Sequence, residues 1–418
     1  MGRITRTCGS LVVVLSLTND ALRCCFAGDM DQPGRPRGSR RDGIPEPVLC
    51  PVCDAGLPLS KAIVFVDTLH PIYEGRVQRW EAQAGTARAL DYEPTEGERL
   101  EQWQRSPFSH LLGTGGTLLR VPIKAGSVPP FWLPSDLLDS GATEYLACVT
   151  RFGLDGVIGG LDCVYSGWVT QAAGGFADEH VAAIEVLLPP LAMVLKSCAL
   201  TRIAQTLVQT YLGRDAGQRV LGGRIARGVV ERISTALWFS DLRDFPRIAE
   251  ASAPDQLIPF LDEHAETVIE AIHFAGGDVL KLIGDGTLAM FTASNPAEAC
   301  RAALAAAERA ISAIAVLGGR RASSGLAATT LYLGLHFGDV FFGNIGSRER
   351  LDFTVVGPAV NEVSRIAAMC RSLDQPMLIS SSFVSALGED ARRLVSVGRY
   401  ALRGVGGAQH LFTFEPGT

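Results

Sequence analysis

The run DVLKLIGDGTLAMFT, residues 278–292, constrains this chain more than any other stretch. Two apolar segments, Asp278 to Ile283 and Thr287 to Thr292, flank Gly284, Asp285 and Gly286, a spacing that suits a tight turn between paired strands. The glycines permit backbone angles closed to other residues, so the turn can present the Asp285 carboxylate at the end of both strands. Alternation along the first strand predicts that Lys281, Ile283 and Asp285 share one face while Leu280 and Leu282 take the other. A lysine on the face of a turn aspartate is odd for a strand that only fills a core.

This hairpin sits inside a longer order that begins near residue 231. A strand (Ser234 to Ser240), a helix (Pro254 to Phe274), the two hairpin strands, an alanine-rich helix (Pro296 to Ala315) and a strand (Thr330 to Phe337) follow one another. In the last strand Leu331, Leu333, Leu335 and Phe337 alternate with Tyr332, Gly334 and His336. The order predicts an α/β (α+β) domain on the ferredoxin-like βαββαβ plan.

A second carboxylate stands in Phe239-Ser240-Asp241-Leu242-Arg243-Asp244-Phe245, just past an apolar strand where the chain leaves the sheet. Asp241 or Asp285 alone is an ordinary turn residue. Together, at the ends of strands that can be neighbours, they offer the hard oxygen ligands that hold two magnesium ions about 4 Å apart over a triphosphate. Further on, Gly357-Pro358 signals a helix start. Val360, Val363 and Ala367 form its apolar stripe, and Asn361 and Arg365, four apart, project on the opposite side. On that helix alone a solvated polar face explains the pair.

Taken together, these segments resemble the class III adenylate and guanylate cyclases over residues 231–415. Phe239 to Phe245 is similar to the family's first metal motif, Gly276 to Gly286 to its second, Gly343-Asn344-Ile345-Gly346-Ser347 to its sheet hairpin, and Leu351 to Arg365 to its substrate segment. The resemblance implies that Asp241 and Asp285, with the Leu242 carbonyl, hold two Mg2+ or Mn2+ ions. It also implies that Lys281 meets the adenine edge, that Asn361 orients the ribose, and that Arg365 stabilises charge on the reacting phosphate. Phe245, closing the first motif, would lie on the substrate side, and Arg403 in Leu402-Arg403-Gly404 would hold the terminal phosphates. The position seven before Asn361, an aspartate in many adenylate cyclases, is Thr354, as in the subgroup called class IIIb, which includes bicarbonate-responsive enzymes. A hydroxyl both donates and accepts, so it separates adenine from guanine less sharply than a carboxylate. Lys281 nonetheless implies ATP, because guanylate cyclases of this family place glutamate there. The expected reaction is ATP to cyclic AMP and pyrophosphate, in a homodimer with two composite sites. The alternatives are a guanylate cyclase and a catalytically silent nucleotide-binding or dimerisation module. A diguanylate cyclase, suggested by Gly276-Gly277-Asp278, lacks the acidic and aromatic residues that family needs where Val279 and Leu280 stand.

With 418 residues, 47% of them hydrophobic, the chain can bury two cores. Residues 1–47 read as a flexible tail: 29–47 are rich in Pro, Gly and Arg. Residues 48–199 read as an α/β domain, with strands at Ala62 to Val66, Leu118 to Ile123, Tyr145 to Val149 and Gly156 to Val164, and a closing helix after Phe176. In length and order it resembles a GAF domain, a sensor and dimerisation module, without the NKFDE-type signature of the cyclic-nucleotide-binding members, so an unknown small-molecule or protein signal and a ligand-free scaffold both stand. A helical linker covers 200–230. Its apolar stripe begins at Ile184, Leu187, Leu188, Leu191 and Leu195, with a kink expected at Pro189 and Pro190. The stripe continues through Ile203, Leu207, Tyr211 and Leu212 until Gly222 to Gly228 break it.

A net charge of -6, with 38 basic residues spread along the chain, leaves no cationic stripe for nucleic acid. The ten cysteines are scattered, which fits a reducing cytoplasm, and Cys50 and Cys53 lack the second pair a zinc site needs. Ser10 to Leu17 follows Arg3 and Arg6 but no small-residue cleavage site. Ala182 to Leu200 carries Glu185, Pro189, Pro190 and Lys196, so no membrane span is expected and a soluble cytoplasmic protein is.

Overall fold

The computed structural model describes residues 56–414 apart from 83–85, 125, 154–157, 160 and 227. The expected tail and the Cys50–Cys53 pair lie outside the described residues. The chain divides into two compact units, the second starting at Val208.

In the first unit, alternating residues build a six-stranded sheet. Strands β1 (Lys61–Asp67), β2 (Gly75–Glu81) and β3 (Thr86–Tyr92) precede helices α1 (Glu98–Gln104) and α2 (Pro107–Thr114). Then come β4 (Leu118–Pro122), α3 (Ser135–Leu138), β5 (Glu144–Arg151), β6 (Cys163–Thr170) and the long α4 (Asp178–Leu212). The order is β3-β2-β1-β6-β5-β4, and every neighbouring pair is antiparallel. Ala62, Val64 and Val66 point to one face, where Ile184, Leu188, Leu195 and Ile203 of α4 pack on them at helical spacing. On the other face Phe65 meets Phe108, Tyr145 and Tyr165.

Two expectations change here. The strand expected at Gly156 to Val164 lies at Cys163–Thr170, because Val164, Tyr165, Trp168 and Val169 suit a pleated core while the glycines before them do not. Helix α4 stops before Gly213, whose φ of 86° only glycine adopts readily, and a separate helix at Arg214–Leu221 follows in place of one run to 222. Also, α4 and the helix at Pro296–Ser323 are both long and apolar enough to cross a membrane by length and composition. Within its unit α4 buries Val181, Ile184, Leu188, Ala192, Leu195, Ala199 and Ile203.

The second unit opens with α5 (Arg214–Leu221), then β7 (Val230–Leu242), α6 (Phe245–Ala251), α7 (Pro254–Phe274), β8 (Asp278–Ile283), β9 (Gly286–Phe291) and α8 (Pro296–Ser323). It continues with β10 (Leu331–Gly346), β11 (Leu351–Val356), α9 (Pro358–Leu373), β12 (Met377–Ser380), α10 (Ser381–Leu387), a 3-10 turn at Gly388–Arg393, β13 (Leu394–Ala401) and β14 (Ala408–Phe414). The sheet order is β13-β14-β12-β10-β7-β9-β8, with β11 hairpinned on β10. Its β10-β7-β9-β8 part, all antiparallel, is the βαββαβ plan. Trp238, Ala236 and Phe291 face α7 and α8, where Phe260, Ile272, Ala303 and Ala307 complete the larger core. Leu237, Leu288, Phe342 and Phe353 face the other way, onto Ala359 and Val363 of α9 and Ala216 of α5. Gly334 of β10 makes the α9 contact possible: a Cβ there would sit 2.7 Å from both Val363 O and Ala367 N.

Candidate active site

Strand β7 lies inside the sheet, paired to β10 on one side and β9 on the other, so its last residues are held from both flanks. Asp241 registers with Tyr332, and Ser240 with Thr287 at the start of β9. The β8–β9 turn reaches the same edge. Gly284 takes a φ of 65°, and Gly286 comes so close to β7 that an added Cβ would lie 3.0 Å from Ser240 O. Asp285, between them, is thereby brought against β7. Its Oδ2 accepts from the Leu242 N–H at 3.1 Å, and its carboxylate is hydrogen-bonded to the Asp241 carboxyl. Burial pushes Asp241 up to about 7, helped by the hydrogen bond to Asp285 and its like charge, and opposed by the Leu242 backbone. Two acids this close cannot both ionise freely without a cation between them.

Lys281 stands on the edge strand beside this pair, but not by simple alternation. The β8–β9 register slips between Val279 and Lys281, so Lys281 lies opposite Leu288 while Leu280 is buried in the same cluster as Leu288. The slip sets two residues of β8 against one of β9 at this point, with Leu280 buried and Lys281 about half exposed. Lys281 Nζ is ion-paired with Asp352 of β11. Two residues along, Thr354 is half-buried, and the intervening Phe353 points into the core, so Asp352 and Thr354 share the side that carries Lys281. Asp352 was not singled out from the sequence. Its alternation with Phe353 and Val355 was the signal available.

Asn361 and Arg365 are exposed on α9, opposite buried Val363 and Ala367. Among the described residues neither side chain has a hydrogen bond or ion pair. The end of α9 lies beside the carboxylate cleft: Arg371 meets Asp244 at 3.1 Å and Arg243 meets Asp374 at 3.4 Å. Asn361 and Arg365 lie about 15 and 9 Å back from Arg371 at 1.5 Å per residue. One chain thus gathers Asp241, Asp285 and Leu242, and separately Lys281 with Asp352 beside Thr354; among the described residues no hydrogen bond or ion pair joins Asn361 or Arg365 to either group. Arg403 is exposed in the β13–β14 connection, four strand steps from β7, roughly 20 Å. Phe245 is half-buried and stacks on Phe260 with ring centroids 6.4 Å apart, as part of the core's rim. Asp244 before it holds a φ of 54°, an uncommon angle for a non-glycine residue at the cleft.

Residues 230–415 match the family described as the adenylate and guanylate cyclase catalytic domain. The chain is 30% identical over 169 residues to Adenylate cyclase 1 of Rhizobium meliloti, covering 39% of this chain and 24% of that protein. It is 32% identical over 149 residues to the adenylate cyclase of Anabaena cylindrica, covering 36% and 30%. Among solved structures it is similar to the adenylyl cyclase CyaB from P. aeruginosa, with 21% identity and a TM-score of 0.43 over 46% of this chain and 97% of that one. The matched region spans between 24% and 30% of the length of these two curated relatives. Residues 230–415 form an adenylate/guanylate cyclase catalytic domain.

Proposed function

We propose that this chain is an adenylate cyclase that converts ATP to 3',5'-cyclic AMP and pyrophosphate at sites shared between two copies of itself. The observation that carries the reading is the contact between Asp241 and Asp285 at the ends of β7 and β8. The donor set fits Mg2+ or Mn2+: two carboxylates hold a proton in the absence of a cation, and the Leu242 carbonyl is the third oxygen at the same strand end. Among the described residues no cluster of three or more His, Cys, Asp or Glu offers a metal site. The ions would neutralise the triphosphate and acidify the ribose hydroxyl.

The remaining roles belong to the chain's own residues. Lys281, held by Asp352, donates to a ring nitrogen of adenine, and Thr354 supplies a hydroxyl beside it. Asn361 orients the ribose, and Arg365 spreads a planar guanidinium across the phosphate oxygens as the 3'-oxygen bonds to the α-phosphorus and the bridge to pyrophosphate breaks. Arg403 steadies the departing phosphates. Within one chain Asn361 and Arg365 are exposed and unpaired among the described residues, which supports a homodimer in which the second copy supplies them. Exposed Phe341, Ile345 and Val356, on the paired strands β10 and β11, are suited to that contact. The antiparallel sheet and long helix of residues 56–207 support a GAF-like regulatory reading for the first unit.

A second reading, guanylate cyclase, is favoured by one residue: Asp352, paired with Lys281, is a carboxylate of the kind that accepts from guanine's N–H donors. Purified protein assayed with Mn2+ and either nucleotide separates the two. Cyclic AMP from ATP with far less product from GTP supports the first, and the reverse order supports the second. Asp285→Ala is expected to abolish product. A mixture of Asp241→Ala and Arg365→Ala chains is expected to regain one working site per dimer, and no recovery between variants that still dimerise would sink the shared-site arrangement.

A further inference from the structure

The first unit contains a cavity of about 660 Å³ between the sheet and helices α1 and α2, a size suited to a drug-sized molecule. Its walls are aromatic. Phe65, Trp103, Phe108 and Tyr165 line it with edge-to-face, tilted and stacked contacts at centroid distances of 5.3 to 6.3 Å.

Two glycines shape the floor. Gly75 registers with Asp67 on one side and Tyr92 on the other, and a Cβ at Gly75 would lie 2.2 Å from the Tyr92 hydroxyl. The bare glycine lets the Tyr92 side chain cross β2 and donate to Asp67 Oδ1 at 3.0 Å. Gly167 does the same for Tyr145, whose hydroxyl would lie 2.1 Å from an added Cβ. Both tyrosines and Asp67 line the cavity.

Charge along the cavity is uneven. Among its lining bases, Lys61 lies 3.7 Å from Glu81 and Arg99 lies 3.9 Å from Glu93. Arg79 registers with Ile63, four residues along β1 from Asp67 and about 13 Å away. Asp67 and Glu74 share the opposite end, and among the described residues neither has a cationic partner. Among the described residues the Glu74 carboxylate accepts only from Thr95. Burial, with the charges of Glu74 and Asp162 adding to it, pushes Asp67 up to about 6. Aromatic faces attract cations, and an unpaired carboxyl at the rim of such a box completes the preference.

We propose that this cavity binds a hydrophobic organic cation of the arylalkylamine class, its rings against Phe65, Trp103 and Phe108 and its ammonium against Asp67. The test is calorimetry on the full chain with tryptamine, tryptophol and indole-3-acetate, which share a ring and differ in charge. Tryptamine is expected to bind at least about tenfold more tightly than tryptophol, the worth of one charge-assisted hydrogen bond, with no binding of the acid. Asp67→Asn should weaken tryptamine by a similar factor while thermal unfolding shows an intact protein. If that variant does not fold, Glu74→Gln at the exposed rim decides by the same measurement. Equal or tighter binding of indole-3-acetate, no tryptamine binding at millimolar concentration, or unchanged affinity in the folded variant overturns the proposal.

Discussion

At the scale of single residues, the acid pair makes an opposite demand on folding and on function. An unfolded aspartate titrates near 4, whereas Asp241 in the fold is raised to about 7. Between those values the folded state holds a proton that the unfolded state has lost, so stability from this group falls as pH rises from about 4 to about 7 and stays low above it. Asp241→Asn is therefore expected to raise the metal-free melting temperature by a few degrees near pH 8, with no gain below about pH 4, while abolishing cyclase activity. Calorimetric scans in EDTA across pH read the first effect and a product assay the second. Asp352→Asn acts differently. Its ion pair with Lys281 is about half exposed, so the change should alter stability by no more than about 1 kcal/mol. It should lower the ratio of GTP to ATP turnover wherever Asp352 contacts the base. Asp241, Asp285 and Lys281 were legible in the sequence because each stands at a strand end or on a strand that its apolar neighbours define. Asp352 was not, since one acid in LDFTVV reads as an ordinary outward residue until a lysine from another strand meets it.

At the scale of elements, the close approach of α9 to β10 depends on Gly334. A Cβ 2.7 Å from two backbone atoms cannot be relieved by moving a side chain, so Gly334→Ala should cost about 1–3 kcal/mol in urea unfolding and displace the helix that carries Asn361 and Arg365. Gly213 is similarly confined. Its Cβ would lie 2.5 Å from Val279 O, and just beyond it the N–H groups of Arg214 and Asp215 donate to Asp278 at 3.1 and 3.3 Å. Gly213→Ala should loosen α5 from the start of β8, seen as faster amide exchange across 214–221. The order of elements from β7 to β10 could be read in advance, because alternation and Pro-led helix starts agree there. Strands β2 and β3 could not: GRVQRWE and TARALDY carry charges at positions the hairpin leaves outward, so their strand character comes from pairing. The bulge in β8 was equally hidden, for a slip of register is decided by what packs on Leu280 and not by Leu280 itself.

At the scale of the molecule, the second unit begins at Val208, ahead of the family match at 230, because Leu212, Ala216 and Val220 pack against its sheet. A fragment starting at 208 should unfold cooperatively, whereas one starting at 231 should melt at lower temperature, since it exposes the apolar surface under Ala216 and leaves Asp278 without its backbone donors. If two chains complete each site, specific activity of either fragment should fall on dilution, and sedimentation should track the same concentration range. The carboxylate cleft has one more consequence. A pair of acids that holds a proton until a divalent ion binds behaves as an exchanger, so loading it with magnesium or manganese should acidify its surroundings. In lightly buffered solution near pH 6, below the raised value, an indicator dye would register that release, close to one proton per occupied cleft and blind to whether any nucleotide is turned over.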